Sequence, residues 1–252
     1  LADRAVRLYL ADEGWTIPNR GLRWGTGELS DSLALGDLAG LLTSLEASAR
    51  LQGQLLELKT KSAAPAFLLE RPASPHLLPA WSLNTANIIN REEPGTSSLT
   101  ERIKSLKKCQ EHGYHVALHF DPLFPGEDYG PVTTELERSL DPRKIAWISL
   151  GVLRFPGTGS DWLGDDPRYQ ALRAGMIRGR DGKWRFPRPQ RVELIRSLGK
   201  PLIRWAPDAI VYLCMESPEV WRDSLDIAAS QSARLAGLLD RKARTLLRKE
   251  HP

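Results

Sequence analysis

Side chains able to do chemistry gather at one kind of place in this sequence, immediately after short apolar or β-branched runs. Gly25-Thr26-Gly27-Glu28, Lys59-Thr60-Lys61, Ser82-Leu83-Asn84-Thr85, His119-Phe120-Asp121-Pro122, Ser149-Leu150-Gly151 with Arg154, and Cys214-Met215-Glu216-Ser217 all stand there. Brought together, these ammonium, carboxylate, hydroxyl and amide groups would line a polar cavity suited to a charged, zwitterionic cofactor. Each position alone has a plainer reading. A polar residue after a strand caps the next helix, His119 satisfies a core hydrogen bond, Asp121 caps the turn at Pro122, the lysines face water and Cys214 packs inside. No nucleophile with a matched base and oxyanion loop accompanies His119 and Asp121, which argues against a metal-free hydrolase.

What must position these groups is a repeating strand–helix unit. Strand-like runs fall at 22–26, 55–59, 80–84, 116–120, 145–150 and 210–214, with helical periodicity over 31–51, 63–70, 99–112, 133–140 and 190–205. Strands joined by helical crossovers run parallel, and right-handed crossovers wind them into an α/β sheet or barrel. Ligands then gather at the carboxyl ends of the strands. Val6, Leu8, Leu10 and Trp15 predict a helix ahead of the first strand, and Gly179 to Lys183 a tight turn. From 231 to 249, Leu235, Leu238, Leu239, Leu246 and Leu247 stand beside Arg234, Arg241, Lys242, Arg244, Arg248 and Lys249. This predicts a basic amphipathic helix over 228–252, following a domain over 1–227; the helix either packs one face or serves as a nucleic-acid arm.

The 252 residues are 41% hydrophobic and 26% charged, enough for one sizeable core. No apolar run approaches the roughly eighteen residues of a membrane helix, and Asp3 and Arg4 place charge where an export signal would be apolar. Two cysteines, Cys109 and Cys214, form neither a disulfide framework nor a spaced metal cluster, and a cytoplasmic setting is expected. The net charge of +4 is compatible with nucleic acid. Arg178, Arg180, Lys183, Arg185, Arg188 and Arg191, near Trp184 and Phe186, suit either phosphate contacts with base stacking or a solvated loop.

The stretch Trp81-Ser82-Leu83-Asn84, with Arg91 to Ser98 and Glu101-Arg102-Ile103, resembles the corresponding strand and helix opening of spore photoproduct lyases. So do Gly113-Tyr114 leading to His119-Phe120-Asp121-Pro122-Leu123, the string Ile148 to Pro156, and Tyr212 to Pro218, so that the resemblance covers roughly 22–221. It implies a partial (β/α)6 radical S-adenosylmethionine (SAM) barrel of parallel strands, here lacking its first strand and cluster loop. The chain begins at Leu1 inside a helical pattern, and the cysteines of a [4Fe–4S] cluster are expected upstream of it. The implied activity is that of a radical SAM lyase-like enzyme in the full-length protein, cleaving SAM to a 5′-deoxyadenosyl radical for DNA photoproduct repair. DNA is the implied substrate, flavodoxin or ferredoxin the electron donor, and the fragment alone is expected to be inactive.

By the same resemblance, Gly27 and Glu28 meet the ammonium of SAM and Lys61 its carboxylate, while Ser82 and Asn84 supply hydrogen bonds. Arg102 is a further carboxylate partner, the alternative being a surface pair with Glu101. His119 and Asp121 complete the cofactor site. Spore photoproduct lyases carry a hydrogen-donating cysteine after the second strand, and 26–31 has none, which leaves Cys214 to approach the mouth from the last strand. An alternative reading is a clusterless, nucleic-acid-binding relative that keeps the barrel without catalysis.

Overall fold

The computed structural model describes residues 23–27, 30–155, 167–179, 181–228 and 234–248. The helix expected at Val6 to Trp15, and Glu28 and Arg180, lie outside them. Along the chain come β1 (Arg23–Thr26), α1 (Leu41–Leu51), β2 (Leu55–Thr60), α2 (Ala66–Leu69), β3 (Leu77–Ser82), α3 (Ala86–Glu92), α4 (Leu99–Glu111), β4 (Val116–Leu123), α5 (Gly130–Ser139) and β5 (Ile145–Val152). There follow β6 (Arg154–Phe155), α6 (Pro167–Ala174), β7 (Ile177–Arg178), β8 (Trp184–Arg185), α7 (Arg188–Trp205), β9 (Ile210–Leu213), α8 (Pro218–Leu225) and α9 (Leu235–Leu247). A six-stranded parallel sheet, in the order β1-β2-β3-β4-β5-β9, curls into half a barrel. A small antiparallel sheet, β6-β8-β7, stands beside it.

Alternation along the strands sorts the side chains onto two faces. Leu56, Leu58, Trp81, Leu118, Phe120, Ile148 and Leu150 face outward into the main core beneath the helices. On the inner face Leu55, Leu78, Ala80, Ala117, Ala146 and Trp147 pack with Leu239, Ala243 and Leu246 of α9. The tail helix therefore buries its apolar stripe against the sheet, and Arg23 reaches its Asp240 at 3.4 Å. Each such leucine removed from water contributes about 1.5–3 kcal/mol.

Two expected helices are shorter than their periodicity suggests. Over 31–51 the α-helix starts only at Leu41, because Gly36 and Gly40 take φ of +59° and +72°, which a continuing helix cannot accommodate. Leu35 and Leu38 are left exposed. Over 63–70 only Ala66–Leu69 is helical, preceded by Pro65. By contrast, α4 begins where Ser98 and Glu101 form a reciprocal capping box, and its register buries Arg102.

Candidate functional site

Gly27, just past β1, has φ of +91°. A Cβ there would lie 2.6 Å from the Lys59 carbonyl oxygen and 2.8 Å from the Lys59 Cβ, so only glycine allows the two backbones to approach. The chain then folds back onto the end of β2. The Ser32 N–H donates to the Lys59 carbonyl at 3.0 Å, and the Thr26 and Ser32 hydroxyls meet at 2.7 Å. Asp31 completes the clamp: Oδ1 accepts the Thr60 hydroxyl at 2.7 Å and Oδ2 the Lys61 N–H at 2.6 Å. Gly27, Ser30, Asp31, Lys59, Thr60, Lys61 and Ser82 thereby surround one cavity of about 280 Å³ at the carboxyl ends of β1, β2 and β3.

Asn84, Arg102, His119, Asp121 and Cys214, also expected in the site, are not among the residues that line that cavity. Asn84 is buried, with Nδ2 donating to the Pro122 carbonyl and Oδ1 accepting from the Thr85 N–H and the Tyr129 hydroxyl. Its amide fastens the β3 end to the β4 end. Arg102 has no exposed surface and pairs with Glu93 at 2.6 Å rather than with Glu101. It also donates to the carbonyls of Ser97 and Ser82 and to the Thr96 hydroxyl. Lys61, about a third exposed, pairs with the other oxygen of Glu93 at 2.8 Å.

His119 lies within β4, which continues to Leu123, and so sits one layer below the mouth. Its Nε2 hydrogen-bonds Glu57 Oε1 at 2.8 Å, and the same oxygen accepts the Trp147 indole N–H at 2.7 Å. One strand, β3, separates Glu57 from His119, and its small Ala80 leaves room for the bond. Burial works to raise the Glu57 carboxyl, but His119 and Trp147 outweigh it and hold it below the ordinary carboxylate value. Tyr212, on the same face, is pushed up to about 12, chiefly by burial.

Across the mouth, Asp121 pairs with Arg154 at 3.1 Å, and Arg154 reaches Cys214 Sγ at 3.6 Å. Gly151 makes room for the carboxylate, since a Cβ there would stand 2.5 Å from Asp121 Cγ. Asp121 thus joins an ion pair instead of capping a turn at Pro122. Burial, then Asp121, push the Cys214 thiol up to about 11 against the opposing Arg154, so it carries its proton at neutral pH. In the basic run, Arg185 pairs with Asp181, Arg188 with Asp223 and Arg191 with Glu216, while Arg173 lies over Trp184. These pairs offset much of the positive charge that the sequence presents there.

The residue types around the cavity are chemically compatible with a zwitterionic cofactor such as SAM: a glycine that allows close approach, the Lys61 ammonium, and hydroxyls. A [4Fe–4S] cluster does not fit the residues present. Cys109 is buried in α4, Cys214 stands alone past β9, and no group of three potential metal ligands occurs among the described residues. Sequence reasoning missed Asp31, Glu57 and Glu93. Asp31 had a local signal as an acidic residue ahead of a turn, whereas Glu57 and Glu93 acquire meaning only from partners distant in sequence.

No protein-family model and no curated protein sequence matches the chain. Among solved structures, a cysteine-to-alanine mutant of spore photoproduct lyase with dinucleoside spore photoproduct aligns at a TM-score of 0.66 and 21% identity. Spore photoproduct lyase complexed with dinucleoside spore photoproduct aligns at 0.65 and 21%. A double mutant with bound AdoMet, which is SAM, and dinucleoside spore photoproduct aligns at 0.64 and 21%. Each alignment covers 84% of this chain and 66% of the other, so the chain spans just under two thirds of the structures it matches. Its half-barrel of parallel strands has the fold of spore photoproduct lyase.

Proposed function

We propose that this chain is the SAM-binding half-barrel of a radical SAM enzyme that acts on a DNA photoproduct. The observation that carries the reading is the convergence of Gly27, Lys61 and Ser82 on one polar cavity at the strand ends. The fold's solved relatives include one with bound AdoMet and a dinucleoside lesion. On this reading Lys61 balances the methionine carboxylate, the Gly27 cradle admits the amino end, and the hydroxyls of Ser30 and Ser82 take the remaining polar atoms. Bound SAM, once cleaved by one added electron, would supply the chemistry of hydrogen-atom abstraction from substrate carbon. Cys214, protonated and held beside Asp121 and Arg154, serves as a hydrogen-atom donor at the mouth. The cluster thiolates are not among these 252 residues, the electron comes from a flavodoxin or ferredoxin, and the setting is cytoplasmic.

Equilibrium dialysis of the 252-residue chain against labelled SAM tests this. Saturable binding is expected, weakened about ten-fold or more by Lys61→Gln through loss of a charge-assisted bond. Leu35→Ala, at an exposed side chain that does not line the cavity, is expected to bind as the wild type does. Absence of SAM binding by the wild-type chain, or unchanged binding by Lys61→Gln, overturns the reading.

A further inference from the structure

Three charged groups stand in line behind the cavity wall. Lys61 Nζ lies 2.8 Å from Glu93 Oε1, and Glu93 Oε2 lies 2.6 Å from Arg102 Nη2. Arg102 is fully buried, so no ligand can touch it. It spends Nη1 on the Ser82 carbonyl at 2.9 Å and Nε on the Ser97 carbonyl at 2.8 Å. The neighbouring loop is tied in as well, since the Ser97 hydroxyl accepts the Ala63 N–H at 2.8 Å. One guanidinium therefore fixes the cavity wall twice, directly at the end of β3 and through Glu93 at the end of β2.

Two cations share the single carboxylate of Glu93, and the partner left facing the cavity is Lys61. An ammonium has three N–H donors; Glu93 occupies one and leaves the others for a ligand. A free lysine would spread its charge over many rotamers and would lose that freedom when a ligand immobilised it. Anchored at Glu93, the ammonium is already placed before a ligand arrives.

We propose that Glu93, held by Arg102, is a positioning residue that aims Lys61 into the cavity and makes the site select ligands bearing a carboxylate. The inference rests on the reading of this cavity as the SAM site and adds to it the origin of selectivity. Glu93 does not line the cavity, so it acts through Lys61.

The experiment compares dissociation constants for SAM and for decarboxylated SAM, which keeps the sulfonium, amine and nucleoside but lacks the carboxylate. Wild type, Glu93→Gln, Glu93→Asp and Lys61→Gln are measured by equilibrium dialysis at a temperature where each is shown to be folded. Glu93→Gln is expected to weaken SAM binding about three- to five-fold, the scale of a partly exposed ion pair, while leaving the decarboxylated compound unchanged. Glu93→Asp restores part of the preference, and Lys61→Gln abolishes it. Equal weakening of both compounds in Glu93→Gln would mean a merely structural role and overturn the inference. So would an unchanged or larger preference for SAM, with the SAM reading itself still standing. A wild-type chain that binds neither compound removes both.

Discussion

Glu57 places a carboxylate on the inner face of the sheet, where water cannot solvate it, and the fold answers with two N–H donors from strands on its far side. Its ionised form is favoured in the folded protein relative to the ordinary value of 4.5. A group depressed in this way stabilises the fold above its unfolded pKa and loses that contribution as pH falls through the folded value. Glu57→Gln keeps an oxygen for both donors but removes the negative charge that they stabilise and puts an amide N–H in place of Oε2. It is expected to cost about 1–3 kcal/mol at pH 7. The gap between variant and wild type should close below pH 4.5, as urea unfolding midpoints across pH would show. A constant gap would mean that Glu57 is not ionised in the native state. Residue types at the strand ends were legible as a polar mouth, and Lys61 and Ser82 stand at a common cavity. Which side chains were already spent was not legible. Asn84 and Arg102 look like free donors in a string of letters, but their partners Pro122, Tyr129, Glu93 and Ser82 are fixed by tertiary packing.

Among the elements, α7 shows how packing overrides propensity. Gly199 sits in its middle, and a Cβ there would stand 2.5 Å from Leu225 Cδ2 of α8 and 3.1 Å from Leu150 Cδ1 of β5. Glycine costs a helix about 1 kcal/mol relative to alanine, while overfilling a tight core costs about 1–3 kcal/mol. Both leucines are buried and have little room to withdraw, so overpacking wins. Gly199→Ala is therefore expected to destabilise the chain by about 1–2 kcal/mol in urea unfolding; stabilisation would mean that α7 and α8 separate more easily than their contact suggests. The same competition explains which elements the sequence revealed. The continuous apolar run of β5 and the capped, periodic α4 announce themselves, since local and tertiary preferences agree there. β3 begins at Leu77, ahead of the apolar run at 80–84, and Pro79 sits in the parallel ladder opposite Leu58. Over 31–40 a leucine pattern mimicked a helix that the positive-φ glycines forbid.

For the molecule as a whole, the decisive element is the last one. Composition made 228–252 look like a basic appendage, because its arginines and lysines are visible in sequence while the surface that receives its leucines is assembled from four distant strands. That surface carries Leu55, Leu78, Ala80, Ala117, Ala146 and Trp147, and removing α9 would open this apolar patch to water. If α9 closes the base, its buried side chains belong to the same cooperative unit as the sheet. Leu239→Ala, at a side chain 4% exposed, then lowers global stability by about 2–4 kcal/mol. Tryptophan fluorescence, to which Trp147 contributes from the cluster that α9 covers, and far-UV dichroism should report one shared, shifted transition. An unshifted sheet transition, preceded by separate loss of helix, would instead make the tail a loosely docked arm whose basic face is free to meet nucleic acid.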